Sequence, residues 1–442
     1  MATLTQRQQM AAVRAGTVYT AALIAFISVI SCFLLTDVIT IVAGQSPIIA
    51  RAKLLLLGPI ILFIVLYFGR SLRGMAALPE IPFLVFLAVI SALWSYRPFS
   101  TLDRALPLVV TTLFASTMAS IFSLRHLVLA FAFIGASMMI GSILAIATVA
   151  DARGLPPWEN TWNGIFSHKN GLGGASVLAL IFALCAINVT QGNLRRVFVF
   201  SLLLSLVLLV ASESRSPQIV ALFSLSAAGI FYAMRRRALI WGVGYLLIVM
   251  IFILVVSYLL STDVLEPVFE AVDRKPTLSG RLPLWSLMGP YILDEFWVGY
   301  GYRAFWDPAS ARVLEISTDL GLGFTPFYSH NGLIETWLHL GLLGFLVLLA
   351  ALFRVGVSCY FIMRKRWDRT AFASIILVII AFVLMNTTEG TILSRTSYSW
   401  MSFVAFGTKA CLIANLTRTT PTTAGKTQRT RYRRYTAVAK DA

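Results

Sequence analysis

Residues 127–150 read LVLAFAFIGASMMIGSILAIATVA, a run that contains no charged side chain. A helix needs about 20 mostly apolar residues to cross the hydrocarbon core of a bilayer. The length and composition of this run therefore predict a membrane-spanning helix.

Similar apolar runs recur along the whole chain. Of its 442 residues, 58% are hydrophobic and 12% are charged, whereas a soluble protein carries about 25% charged residues. We therefore expect an all-α, polytopic integral membrane protein with about 12 transmembrane helices. The predicted spans are 18–43, 52–68, 80–96, 105–122, 127–150, 171–190, 197–212, 217–234, 239–260, 331–363, 371–388 and 399–416.

The positions of the basic residues predict the orientation. The net charge of +17 would indicate nucleic acid in a soluble protein, but here the cations border apolar runs and we expect no nucleic-acid partner. Short cytoplasmic loops are enriched in Lys and Arg. Placing both termini in the cytoplasm puts Arg235-Arg236-Arg237 and most other cations on that side.

This topology divides the chain into four parts. We expect an N-terminal transmembrane bundle of about nine helices over 1–260 and a long outer loop carrying short helices over 261–330. The C-terminal transmembrane helices occupy 331–416. The basic tail 417–442 lacks apolar periodicity, so we expect it to be disordered and to contact anionic lipid.

Polar motifs precede three of the spans that begin on the outer side. They are FSHKNGLGG at 166–174, SESRSP at 212–217 and YSHNGL at 328–333, and LSGRLPLW at 278–285 predicts a further helix start in the outer loop. Pro217 is expected at the first helical position. Each start presents unpaired N–H groups and a partial positive charge, which together favour phosphate.

Basic side chains at these starts indicate a site for a phosphate-bearing ligand. Arg281 lies in the first turn of its helix, where a cation is unfavourable unless an anion binds, and Lys169 and Arg215 lie in the motifs that precede two other helix starts. Guanidinium groups can neutralise a diphosphate leaving group without a metal. His330 can take a proton from an attacking hydroxyl. We expect no metal and no cofactor, because no DxD pair on that side, HExxH motif or Walker loop is present.

Each of these residues also has a simpler interpretation. Arg215 alone could extend to the membrane interface, and His168 and His330 could each cap a helix. Aromatic residues of the outer loop suit sugar rings or the membrane interface equally well; they are Trp297, Tyr300, Tyr302, Phe305 and Trp306. The convergence of the motifs on one face favours the functional interpretation.

The motifs together resemble those of a known superfamily. His330-Asn331, followed after nine residues by Gly341-Leu342-Leu343-Gly344, resembles the signature of the O-antigen ligase superfamily, which also contains Wzy-type polysaccharide polymerases. Ser214-Arg215-Ser216 and Ser279-Gly280-Arg281 with Trp285 match its other two landmarks in order. The segment 164–171 looks most like the exopolysaccharide-production polymerases of the succinoglycan type.

The resemblance implies a metal-independent, inverting glycosyltransferase of the bacterial inner membrane, with its active face in the periplasm and a glycan on undecaprenyl diphosphate as donor. It implies His330 as the catalytic base and Arg215 and Arg281 as diphosphate ligands, and the position of Lys169 adds a third. Other residues expected to line the substrate are His168, Asn331, Arg303, Trp285 and Glu335. Membrane lipid, chain-length regulators and export proteins are the expected partners.

Two other functions compete with polymerisation. A ligase would transfer the finished glycan to lipid A core, and the His168-Lys169-Asn170-Gly171 motif favours the polymerase over it. A transporter or flippase would show repeated halves and ionisable residues near the membrane midplane. No repeat is evident, and the midplane candidates are few: Asp37, Arg354 and Glu389. Glu335 and His339, four residues apart on one helix face, are placed to pair with each other or to line the cavity.

Overall fold

The computed structural model describes residues 6–37, 55, 57–154, 161–233, 281–308, 310–321, 325–364 and 369–419. The regular structure within these ranges is helical, with no strand. The helices are α1 (Gln6–Leu35), α2 (Leu57–Leu66), α3 (Phe68–Ala77), α4 (Glu80–Ile90), α5 (Pro98–Ile121), α6 (Leu124–Thr148), α7 (Lys169–Val189), α8 (Gly192–Ala211), α9 (Arg215–Ala233), α10 (Arg281–Asp294), α11 (Ala311–Asp319), α12 (Gly332–Arg364), α13 (Arg369–Met385) and α14 (Tyr398–Thr419).

Helices lie at the predicted spans throughout the described part of the chain, which confirms the all-α class. Five of them are long and apolar enough to cross a membrane, namely α5, α6, α7, α8 and α12, and the bent pair of α2 and α3 would make a sixth. The total of about twelve spans stays a prediction. The predicted span 239–260, the first part of the outer loop (261–280) and the tail beyond residue 419 lie outside the described residues.

The second predicted span, 52–68, is interrupted. The α2 helix ends at Leu66, and α3 begins at Phe68 after a bend of 87°. At Tyr67 the backbone leaves the helical region, with φ −113° and ψ 27°. The ten residues of α2 reach only about 15 Å as a helix, and the basic residues Arg70 and Arg73 lie on α3. The turn therefore separates the apolar run from the segment that carries its cations.

The centre of the bundle is formed by α6, α7 and α14. The ring of Phe131 lies 5.2 Å from that of Phe182 and 5.3 Å from that of Phe406. The hydroxyl of Tyr398 donates to the backbone oxygen of Phe131 at 2.6 Å. Gly135 faces Ala179 so closely that a Cβ atom would lie 2.9 Å from the Ala179 methyl group. Aromatic rings and one small residue thus bring these three helices into direct contact.

The α12 helix, predicted as one span over 331–363, is broken at Gly341, which has φ 62° and ψ −164°. The loop after α10 bonds to the backbone at this break, because Leu342 N donates to Phe296 O and Tyr300 N donates to Leu338 O, both at 2.8 Å. A Cβ atom at Gly341 would lie 2.3 Å from the backbone of Trp297. Gly341 therefore supplies the conformation and the space that dock the outer segment on α12.

The aromatic residues of the outer segment mostly form a core. Tyr300, Tyr302, Phe305 and Trp306 are buried, whereas Trp297 is 69% exposed. Most of these buried rings pack with Met288 of α10 and with the apolar face of α11. The short helices α10 and α11 need such a core to bury their own apolar sides. The expectation that these aromatic faces are available to sugar rings is therefore wrong for all of them except Trp297.

Candidate functional site

The start of α7 lies beside the start of α9. His168 has an extended backbone and caps α7, its Nδ1 accepting from Asn170 N at 3.2 Å. The Ser214 hydroxyl donates to Asn170 Oδ1 at 2.8 Å. A Cβ atom at Gly173 would lie 3.0 Å from side-chain carbons of Pro217 and Ser214. The glycines of the 166–174 motif thus allow the two helix starts to meet.

The α9 helix begins with Arg215, so the expectation that Pro217 is the first helical residue is wrong by two positions. Gln218 N donates to Ser214 O at 3.3 Å and closes the first turn earlier than predicted. Arg215 is exposed. The side chains of Arg215 and of Lys169, the first residue of α7, make no hydrogen bond or ion pair with another residue in the described ranges.

Side chains of the α10 helix contact both the start of α9 and the turn that precedes α12. Its first residue, Arg281, donates from one terminal nitrogen to the Ser216 hydroxyl at 2.9 Å and from the other to Glu389 Oε1 at 2.8 Å. One turn later, Trp285 Nε1 donates to Ser329 O at 2.7 Å. Trp285, predicted to line the substrate, therefore also holds the residue next to His330.

Glu389 lies in the segment between α13 and α14, and its side chain is 10% exposed. Oε1 also accepts from Asn170 Nδ2 at 3.0 Å, and Oε2 accepts from the Tyr328 hydroxyl at 3.0 Å. Glu389, one of the three midplane candidates, joins through its carboxylate the starts of α7 and α10 to the turn before α12. We call Glu389, Arg281, Asn170, Tyr328 and His330 the Glu389 cluster.

His330 occupies a left-handed backbone conformation, with φ 57°. Its Nδ1 is buried, makes no hydrogen bond with a described residue and lies 3.7 Å from Glu389 Oε2. Its ring lies 3.9 Å from that of Tyr328, centroid to centroid. At the next turn Gly332 N donates to Asn386 O at 2.9 Å, and a Cβ atom at Gly332 would lie 2.3 Å from Asn386 Oδ1. The His-Asn-Gly sequence thus combines a strained turn with a close backbone approach.

Asn331, not His330, caps α12. Its Oδ1 accepts from Leu333 N at 2.9 Å and from Ile334 N at 3.2 Å. The capping interpretation therefore holds for His168 and fails for His330, whose imidazole faces the carboxylate of Glu389. Asn331, predicted to line the substrate, orients the first turn of the helix.

Glu335 is buried beneath the His330 turn. Its Oε1 accepts from Trp306 Nε1 at 2.9 Å and from Ser329 N. Its Oε2 lies 3.1 Å from Nε2 of His339, so these two residues pair as one of the two alternatives expected. Both are at most 4% exposed along their side chains, which leaves Glu335 as a support of the turn and not a lining residue.

Electrostatics differ among the polar groups at this site. The pKa of His168 is lowered, chiefly because burial disfavours the charged form; Lys169 and His330 act in the same direction, and Glu389 opposes them. Burial and the neighbouring Glu389 charge hold the pKa of Tyr328 well above its usual value. Tyr328 therefore remains a hydrogen-bond donor to Glu389 at physiological pH.

Three helices here begin with a cation, Lys169, Arg215 or Arg281, and have no acidic residue in their first turn. Glu389 pairs with Arg281, while the other two cations lack a carboxylate partner in the described part of the chain. The positive ends of the helices add to this excess. No group of three His, Cys, Asp or Glu side chains in the described ranges is arranged to hold a metal ion.

Other predicted residues lie outside the Glu389 cluster. Arg303 is on the loop after α10, and its carbonyl oxygen accepts from Arg104. Asp37 accepts from Ser167 N at 3.1 Å, beside the start of α7. Arg354, the third midplane candidate, pairs with Glu80 at 2.6 Å.

The sequence interpretation missed four members of the site. Asn170, Ser216 and Tyr328 stand inside the motifs that were singled out but were given no role, and Glu389 follows the apolar run of α13 by only a few residues. A carboxylate at the outer end of a predicted span, opposite several cations, was the signal available for Glu389.

Comparison with known proteins supports part of this picture. A family model described as O-Antigen ligase matches residues 200–349. The matched range contains Arg215, Arg281 and His330, whereas Lys169 and Glu389 lie outside it. No curated protein matches the chain. The match covers about a third of the chain, so the chain is similar to this family over that range. Together with the apolar helices, the match supports a multi-pass membrane protein, and it does not separate polymerases from ligases.

Proposed function

We propose that this protein is a periplasm-facing, metal-independent, inverting glycosyltransferase that polymerises exopolysaccharide repeat units from undecaprenyl-diphosphate-linked donors. It lies in the bacterial inner membrane with both termini in the cytoplasm, and the segment 261–330 is its periplasmic loop. The observation that carries the proposal is the Glu389 cluster, in which the starts of α7, α10 and α12 bring Asn170, Arg281 and His330 to a single carboxylate.

The charge at this site suits a diphosphate. Lys169, Arg215 and Arg281 stand at the positive ends of three helices, and Glu389 offsets one of the three charges. The two positive charges that remain match the two negative charges of a diphosphate diester. Arg281 is already oriented by Ser216 and Glu389, so little conformational entropy is lost when its planar guanidinium engages a phosphate.

The reaction joins an acceptor hydroxyl to the anomeric carbon of the donor sugar. A bond forms between the hydroxyl oxygen and that carbon, and the bond from the carbon to the phosphate oxygen breaks. The diphosphate leaves with the electron pair and is stabilised by the cations. The hydroxyl proton passes to the unprotonated ring nitrogen of His330. Attack opposite the leaving group inverts the anomeric centre.

Glu389 orients the base in this scheme. A proton on His330 Nδ1 points toward Glu389 Oε2, 3.7 Å away, and leaves Nε2 to accept the proton of the acceptor. The carboxylate then stabilises the imidazolium that forms. Tyr328 and Asn170 hold the carboxylate through the remaining hydrogen bonds.

The glycan profile of a deletion strain tests this function. Loss of long exopolysaccharide with retained single repeat units is the expected result, and the full-length gene should restore the polymer. Loss of lipid-A-linked chains with normal exopolysaccharide would instead identify a ligase. Accumulation of repeat units on the cytoplasmic leaflet would identify a flippase.

A further inference from the structure

A second group of arginines lies outside the Glu389 cluster. Arg104 stands near the start of α5, Arg303 on the loop after α10 and Arg395 on the segment between α13 and α14. We call these three residues the Arg104 cluster. Each is half-buried, so none is a fully solvated surface side chain.

Hydrogen bonds to the backbone fix the three segments against each other. Arg104 donates to Arg303 O at 2.5 Å, and the Thr111 hydroxyl donates to Arg395 O at 2.8 Å. The buried hydroxyl of Tyr302 donates to Leu393 O at 2.6 Å. These contacts hold together the backbone segments that carry the three arginines.

The local charge is poorly balanced. Arg303 and Arg395 both lie close enough to Arg104 to repel it. Among the described residues, the carboxylate nearest to Arg395 is that of Asp103, at 4.0 Å and with a side chain 71% exposed. An exposed pair at that distance is worth little. Asp307 pairs with Arg97 at 3.4 Å and also attracts Arg104, so it is shared between two arginines. Like charges that the backbone brings together in this way favour an anionic ligand.

The Arg104 cluster is connected to the proposed catalytic site. The charge of Arg303 acts on Glu335, and Glu335 accepts from Ser329 N in the turn that carries His330. Glu389 and Arg395 share one connecting segment, and the chain between them spans at most about 20 Å even when fully extended. Arg395 therefore lies within the length of a short oligosaccharide from the carboxylate that faces His330.

We propose that the Arg104 cluster binds the carboxylate of an acidic sugar in the acceptor glycan. The identification of the bound glycan as the acceptor rests on the proposed function, whereas the anion site itself rests on the positions of the three arginines. Lys169, Arg215 and Arg281 already provide for the donor diphosphate, so a further set of guanidinium groups selects a different anionic group. A carboxylate fits the planar fork of arginine bidentately.

Direct binding tests the proposal independently of turnover. The full-length protein carrying His330→Ala is placed in neutral-lipid nanodiscs. The probes are an oligosaccharide with one glucuronate, the same oligosaccharide after reduction of the carboxyl group to an alcohol, and inorganic diphosphate. Arg395→Gln is the principal variant because, among the described residues, the Arg395 side chain makes only the long contact to Asp103, so the fold should persist.

Arg395→Gln should weaken binding of the glucuronate probe about 10- to 100-fold, the loss expected for a charge-assisted hydrogen bond, and leave the reduced probe unchanged. Arg395→Lys should restore part of the affinity. Asp103→Asn, which removes the competing carboxylate, should tighten binding of the glucuronate probe about two- to fivefold. Arg153→Gln is the control, because it removes the same charge from a residue outside both clusters, whose side chain donates to Ile146 O.

Three results would overturn the proposal. The parent protein could bind the charged and the reduced probes equally, or Arg395→Gln could leave glucuronate binding unchanged. Arg395→Gln could also weaken inorganic diphosphate and not the glucuronate probe, which would assign the site to donor phosphate. Because His330 is absent from every protein compared, failure of the catalytic assignment would not alter these readings.

Discussion

Replacement of Glu389 by glutamine removes one negative charge and changes few atoms. The carboxylate accepts from Arg281, Asn170 and Tyr328 and faces His330 Nδ1 at 3.7 Å. The glutamine carbonyl can still accept from some of these donors. The amide nitrogen, however, is a donor and cannot accept from them, and the neutral side chain no longer stabilises a charged imidazole.

The expected magnitude follows from this loss. A hydrogen bond to a charged group contributes about 1.5–3 kcal/mol, and each 1.36 kcal/mol changes a rate about tenfold. Glu389→Gln should therefore lower kcat about 10- to 100-fold. Glu389→Ala should be more harmful, because it leaves the largely buried Arg281 without its partner, a change that costs about 3–5 kcal/mol for a buried pair.

The assay is elongation of a lipid-diphosphate oligosaccharide by the purified full-length protein, with the thermal unfolding midpoint measured in parallel. Glu80→Gln is the matched control, since Glu80 also pairs with an arginine, Arg354 at 2.6 Å, away from the cluster. It should leave kcat unchanged. A Glu389→Gln enzyme that is folded and within about twofold of the parent rate would refute the role given to this carboxylate.

Three further predictions address His168, His330 and the break at Gly341. His168→Asn should retain activity because asparagine also caps helices, whereas His330→Asn should abolish elongation; equal loss in both variants would contradict the distinction between them. Gly341→Ala should lower the unfolding midpoint, since its Cβ meets the Trp297 backbone at 2.3 Å and overpacking costs about 1–3 kcal/mol; an unchanged midpoint would argue against that packing. Burial lowers the pKa of His168, so its stabilising contribution is present above its unfolded pKa of about 6.5 and is lost as pH falls through the folded pKa. Unfolding midpoints from neutral to acidic pH should therefore fall less steeply for His168→Asn, and an identical slope would contradict this.

Much of the fold could be predicted from apolar runs, because a bilayer imposes both length and composition on each span. The start of α7 at Lys169 agrees closely with the polar motif that precedes it. The bend at Tyr67 and the break at Gly341 could not be predicted in this way. The break at Gly341 depends on contacts with the loop after α10, which hydropathy along the chain does not record.

The two histidines illustrate the limit for the site. His168 and His330 occur in similar sequences, but one has an extended backbone and the other φ 57°. That difference is imposed by Asn386, which accepts from Gly332 N, and by Glu335, which accepts from Ser329 N. The role of Glu389 was missed for a related reason, since its partners Asn170, Arg281 and Tyr328 lie on three other segments.

The central claim is that this cluster catalyses glycosyl transfer from a lipid diphosphate. The most direct measurement incubates the purified full-length protein with lipid-diphosphate oligosaccharide in EDTA and follows the formation of longer glycans. We predict elongation by the parent protein and none by Arg281→Ala or His330→Ala at equal folded abundance. Lipid scrambling without new glycosidic bonds, or parental elongation by both variants, would contradict the account.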